Sequence, residues 1–161
     1  MKRFLLIIMT MLAFGWQNIS AQDAPLKIVT NHPDFKIKIN RCAASGKTVI
    51  IDLILTNEGT NDVEGLYVGG GANGSEAYDN EGNIYNGSTL KVKVANRPSY
   101  DHSMGNFNIP TGVPMKLSIS IDGVPQSAES IARLKLRIDC KAWGLNSQKP
   151  VRISNIPITR D

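Results

Sequence analysis

Apolar and polar residues alternate with a period of two over most of this chain, and nothing else in the sequence restricts the fold as much. Phe35, Ile37 and Ile39 interleave with Lys36, Lys38 and Asn40; Val49, Ile51, Leu53 and Leu55 interleave with Ile50, Asp52, Ile54 and Thr56. The pattern recurs at Leu90, Val92 and Val94, at Leu117, Ile119 and Ile121, and at Leu134, Leu136 and Ile138. A strand sends successive side chains to opposite faces, so each stretch offers one face to a core and one to water. Antiparallel sheets wetted on one side carry this signature, whereas parallel strands covered on both faces do not. "TVIIDLILT" is the most apolar stretch and is expected at the centre of a sheet, with "DVEGLYV" and "KLSISI" as candidate neighbours. "VRISNIPI" supplies a last strand, and Pro157 points to an edge position. Between the strands lie turn clusters such as "NHPD", "NEGTND", "DNEG" and "IPTGVP". Only "PQSAESIAR" reads as helical, for one or two turns. Many short strands separated by turns predict an all-β protein, an antiparallel β-sandwich of about seven to nine strands.

The amino-terminal segment "MKRFLLIIMTMLAFGWQNISAQ" has a basic start, an apolar run of about a dozen residues and a small-residue exit at Ser20-Ala21. That run is short against the roughly 20 residues of a membrane span. Residues 1–21 are therefore expected to be a signal peptide, and 22–161 a single domain, secreted or periplasmic. Removing Lys2 and Arg3 lowers the formal charge from +4 to +2, because the segment holds no acidic residue. So small a surplus gives no reason to expect nucleic acid as a partner. Cys42 and Cys140 are the two cysteines. An oxidising compartment favours a bond between them. Cys140 shares parity with inward Leu134, Leu136 and Ile138, but Cys42 shares parity with outward Lys36 and Lys38. Either a bulge after Arg41 turns Cys42 inward, or the thiols do not meet. Trp143 is expected to pack on the bridge.

"LILTNEGTNDV", "AYDNEGNIY", "FNIPTGVPMKLSISIDGVP" and "ISNIPI" resemble the small immunoglobulin-like domains of exported bacterial proteins, over roughly residues 34 to 158. The resemblance implies an immunoglobulin-like sandwich with an adhesive or partner-binding role. It carries no catalytic residue across.

Several apparent motifs dissolve on inspection. Gly69, Gly71 and Gly74 match G-x-G-x-x-G, but "SEAYDNEGNIYNGST" follows instead of the helix a dinucleotide site needs. Asp79, Glu81 and Asn83 alternate like calcium ligands, yet Gly82 falls fourth and Leu90 occupies the closing position. A hairpin fits better, with Asp79 capping the turn, Gly82 left-handed and "GGGANG" a mobile loop before it. Asp101, His102 and Ser103 are triad residue types in succession, whereas a triad converges from separated positions. Neither histidine, His32 or His102, sits at zinc-ligand spacing. No cofactor, metal or catalytic residue is expected.

The outward cations Lys36, Lys38, Lys91, Lys93, Arg133, Lys135 and Arg137 form a basic stripe if their strands are neighbours. Dispersed, they only keep strand edges soluble. Tyr67, Tyr78, Tyr85 and Tyr100 lie in or beside loops, where amphipathic rings serve contact surfaces. The reading is an exported, non-catalytic binding or adhesion module that recognises an envelope or extracellular protein, or a glycan, through its loops. The alternatives are an anionic-glycan binder using Lys91, Lys93, Arg133, Lys135 and Arg137 with Tyr78 and Tyr85, and a hydrolase with a carboxylate site at Asp79 or Glu81.

Overall fold

The protein is described from a computed structural model over residues 24–160, so the expected signal segment lies outside the described residues. Each alternating stretch is a strand. In chain order these are β1 (Lys27–Val29), β2 (Phe35–Ser45), β3 (Thr48–Asn57), β4 (Val63–Gly69), β5 (Glu76–Asp79), β6 (Ile84–Tyr85) and β7 (Leu90–Val94). Then follow β8 (Ser103–Ile109), β9 (Met115–Asp122), β10 (Ser130–Leu136), β11 (Ile138–Asp139), β12 (Val151–Pro157) and β13 (Thr159–Arg160). Eight of these have five residues or more.

One sheet has the order β13-β2-β3-β9-β7. The other layer combines β1-β12-β10-β5-β6 with β11-β4-β8. Its two parts share one path of chain, Ser130 to Asp139, which passes from β10 to β11 through Arg137. All pairings are antiparallel except β13 with β2, where the carboxy-terminal chain crosses to the opposite sheet. Arg160 secures that crossing by donating to the carbonyls of Pro125 (2.8 Å) and Ala128 (2.9 Å). The result is an all-β antiparallel sandwich.

The apolar faces meet as the alternation requires. Val49, Ile51, Leu53 and Leu55 of β3 are fully buried, with Leu117, Ile119 and Ile121 of β9 and Leu134, Leu136 and Ile138 of β10–β11. Each such side chain contributes about 1.5–3 kcal/mol on burial. As expected, "TVIIDLILT" is central. Its neighbours are β9, which contains "KLSISI", and β2, whereas "DVEGLYV" (β4) belongs to the other layer.

Bulges re-phase the alternation where the spacing of apolar residues is three. Ile131 and Leu134 are both fully buried, and the β10–β5 register shifts between Ile131 and Arg133. On β12, Ile153 and Ile156 are likewise both buried, with Asn155 between them at φ 60°. On β2 the shift falls between Ile39 and Arg41, one step earlier than expected, and brings Cys42 inward.

That inward turn does not produce a disulfide: Cys42 and Cys140 are buried, free and apart. Trp143, whose amide bonds the Cys140 carbonyl at 3.3 Å, stacks on Phe35 at 4.8 Å and on His32 at 5.5 Å. Cys140 thus lies by the start of β2. Cys42 is further along that strand, roughly 20 Å beyond Phe35 at ~3.3 Å per residue, whereas a disulfide needs Cα atoms within about 7 Å. Trp143 packs against aromatic rings in place of a bridge.

Three local expectations also change. "PQSAESIAR" is not helical: Ala128 closes a turn on Pro125 at 3.2 Å, and β10 starts at Ser130. Residues 69–71 are buried, not a loop in open solvent. Gly70 and Gly71 permit this, since a β-carbon there would collide with the backbones of Asp101 and Gly87. Finally, β12 is not an edge strand, but Pro157 stands three residues beyond its last contact with β1, where only β10 neighbours it.

Burial pushes the Cys42 thiol up to about 11, an effect the nearby Arg160 guanidinium only partly offsets. Thiol titration should therefore find no fast-reacting group in the native protein and two per chain after denaturation, with or without reductant. No free thiol in the denatured, unreduced protein would contradict the arrangement.

Candidate functional site

The path from Ser130 to Asp139 sends Arg133, Lys135, Arg137 and Asp139 to the outer face, because their neighbours Leu134, Leu136 and Ile138 fill the core. Strand register then fixes what stands beside each. One row across the sheet reads Lys27, Ser154, Arg133, Tyr78, Ile84. The next reads Val29, Arg152, Lys135, Glu76. Four cations therefore share a patch with one carboxylate. Arg152 stands directly opposite Lys135, and Arg133 precedes Lys135 by two residues on the same face. Ile84, at 60% exposure, is the most exposed large apolar side chain among the described residues.

Glu76 is the local counter-charge. It accepts from Tyr78 Oη at 2.7 Å and from Lys135 Nζ at 3.2 Å, and these bonds, the tyrosine's first, hold its carboxyl below the usual range. The same bond raises Tyr78 above an ordinary phenol. Lys27, Arg133 and Arg152 form no ion pair among the described residues. Arg137 turns away from the patch, holding Asp139 Oδ2 through Nε (3.0 Å) and Nη2 (2.7 Å). The bond to Asp139 keeps its guanidinium above its ordinary value. Asp139 Oδ1 is the single buried side-chain polar atom without a hydrogen-bond partner among the described residues.

Lys36, Lys38, Lys91 and Lys93 are on the opposite sheet, so the seven candidate cations do not make one stripe. There the register sets cations against neutral or acidic residues: Lys36 faces Thr56, Lys38 faces Ile54, Arg41 faces Asp52, Lys91 faces Ser120 and Lys93 faces Ser118. Arg41 bonds Asp52 at 3.0 Å and Lys91 bonds Asp122 at 3.3 Å. Arg152, between buried Val151 and Ile153, and Lys27, on a strand of three residues, complete the first patch and were not among the candidate cations.

The "DNEG" turn is the hairpin expected from its residues. Gly82 has φ 88°, and Ala77 pairs with Tyr85. Asp79, 2% exposed, accepts from the Glu81 and Asn83 amides (both 2.9 Å), Asn83 Nδ2 (2.8 Å) and Tyr85 Oη (2.7 Å). Burial opposes its ionisation, but the bonds from Asn83, Tyr85 and the amides outweigh burial and hold the carboxyl below the usual range. Tyr85 is itself buried, and desolvation together with Asp79 raises its phenol, so this ring is a structural donor and not a surface contact. A carboxylate ringed by donors has no lone pair left for a cation.

The glycine segment serves a seam. Gly69 N donates to Arg137 O at 2.9 Å, and Arg137 N donates to Ser75 Oγ at 3.0 Å, joining the two parts of the layer. Ser103 Oγ pairs with Asn73 Nδ2, while exposed His102 Nδ1 lies 3.2 Å from Asp101 Oδ1; the three residues do not converge. Among the described residues no cluster of three or more His, Cys, Asp or Glu could hold a metal ion, and no helix is long and apolar enough to cross a membrane.

No family model and no curated protein matches the chain. Among solved structures, one similar chain comes from a structural analysis of a family 123 glycoside hydrolase of Clostridium perfringens, concerned with glycolipid glycan hydrolysis. It aligns at a TM-score of 0.39 with 13% identity, covering 72% of this chain and 24% of that one, and a likeness at that score decides nothing. The protein is an antiparallel sandwich with a cation-rich outer face.

Because the carboxyl of Asp79 is depressed in the folded state, its contribution is complete above the unfolded value near 4 and is lost as pH falls through the folded one. Asp79→Asn should cost about 1–3 kcal/mol at pH 7, with the gap to the parent protein narrowing below about pH 4. Denaturant melts at both pH values check this.

Proposed function

We propose that this is an exported, non-catalytic binding module of immunoglobulin-like architecture whose contact surface is the β1-β12-β10-β5-β6 face, and whose partner is anionic. The strand order supports the architecture. β2-β3-β9-β7 follows the A-B-E-D order of an immunoglobulin sheet, and β12-β10-β5 follows its G-F-C order.

The observation that carries the binding surface is Arg152 directly opposite Lys135, with Arg133 adjacent. Like charges facing each other across strands destabilise a sheet. Solubility alone does not explain the placement, since the opposite sheet spreads its cations among threonine, isoleucine, serine and aspartate partners. An anion seated over Arg133 and Arg152, which form no ion pair among the described residues, offsets that repulsion, while Lys135 is shared with Glu76. Loops play the lesser part, because the glycine segment is occupied in holding the layer together.

Passing the protein over immobilised polygalacturonate at stepped salt tests the reading. Retention should fall steeply with ionic strength. It should be lost in Arg133→Gln/Arg152→Gln and kept in Lys91→Gln/Lys93→Gln. The reverse pattern would move the site to the other sheet, and no retention at low salt would remove it.

A further inference from the structure

We infer that the anionic partner is a polysaccharide, and that Tyr67 is a stacking subsite for one of its sugar rings; this rests on the binding face proposed above. Tyr67 lies on β4, directly opposite Asp139 of β11. Arg133, Lys135, Arg137 and Asp139 follow one another along the same outer face. The tyrosine therefore sits on the continuation of the cationic patch, roughly 20 Å from Arg133 at ~3.3 Å per residue. That length suits an extended chain and exceeds a single small anion.

The ring is held flat. A β-carbon at Gly105 would fall on Cζ, Cε1 and Cε2 of Tyr67 together, which happens only if the ring lies face-down over that glycine. One face of the ring covers backbone and the other is open, leaving the residue 43% exposed. Such a ring on an open sheet lacks the desolvated pocket that a protein hot spot occupies. Here the rim is polar. The Arg137–Asp139 pair lies alongside, and Asn73 and Ser103 form a bonded pair at the start of β8. A pyranose has the complementary form, with C–H bonds across one face and hydroxyls around the edge. The hydroxyls meet the polar rim while the C–H face covers the ring; a phosphate chain has no apolar face to lay on it, and polyglutamate has no flat one.

Three probes separate this inference from the reading beneath it: oligogalacturonate, polyglutamate and polyphosphate, each titrated by calorimetry against the full protein. Tyr67→Ala should weaken oligogalacturonate about tenfold, leave polyglutamate and polyphosphate unchanged, and preserve the melting temperature. Tyr67→Phe should restore the affinity, since the ring remains. Arg133→Gln/Arg152→Gln should weaken all three probes. Equal loss for every probe in Tyr67→Ala, or no loss for the sugar, would overturn the stacking subsite and leave the anionic face standing. If no probe responds to Arg133→Gln/Arg152→Gln, the face itself falls.

Discussion

The path from Ser130 to Asp139 is the constraint on which the rest of the structure depends. It pairs with β12 and β5 along its first part and with β4 along its last, so it joins every strand of one layer. Its inward residues Leu134, Leu136 and Ile138 are fully buried, and its outward residues Arg133, Lys135, Arg137 and Asp139 are all charged. A slip of one residue would bury four charges and expose three large aliphatic groups, which no sandwich tolerates. One register therefore sets both the core and the chemistry of the surface.

The seam at Arg137 shows how the two requirements meet. Its backbone passes from one partner to the next, and Gly69 and Ser75 take its carbonyl and amide. Its side chain is held by Asp139. The segment that superficially matches a nucleotide fingerprint is there because two backbones must approach closely, and Gly70 and Gly71 leave the room. Buried Asp79 plays a similar part in the next hairpin by satisfying two amides and two side chains at once.

Much of the fold was legible in the sequence because period-two burial is a local property. Every residue of the alternating sets on β3, β7, β9 and β10–β11 that was expected inside is inside. The Asp79 turn was legible for the same reason, since its geometry is set by four adjacent residues. Bulges were legible only in part: the parity of Cys42 raised one near Arg41, but the others appear only as apolar residues three apart, such as Ile131 with Leu134 and Ile153 with Ile156. Strand order depends on which edges meet and leaves no mark on alternation. That is why the fate of the cysteines and the grouping of the lysines both stayed open. The candidate patch was half legible: Arg133, Lys135 and Tyr78 lie in recognisable strands, but Arg152 belongs to a kinked strand and Lys27 to a short one. The platform at Tyr67 needs Gly105, 38 residues away in sequence, and only the fold brings them together.

Nuclear magnetic resonance during titration with oligogalacturonate tests the central claim most directly, since it reports the whole surface at once. Shifts are expected at the outward residues Lys27, Tyr67, Tyr78, Arg133, Lys135 and Arg152, with the β13-β2-β3-β9-β7 sheet silent. Shifts concentrated at Lys36, Lys38, Lys91 and Lys93, or in the loops alone, would contradict it.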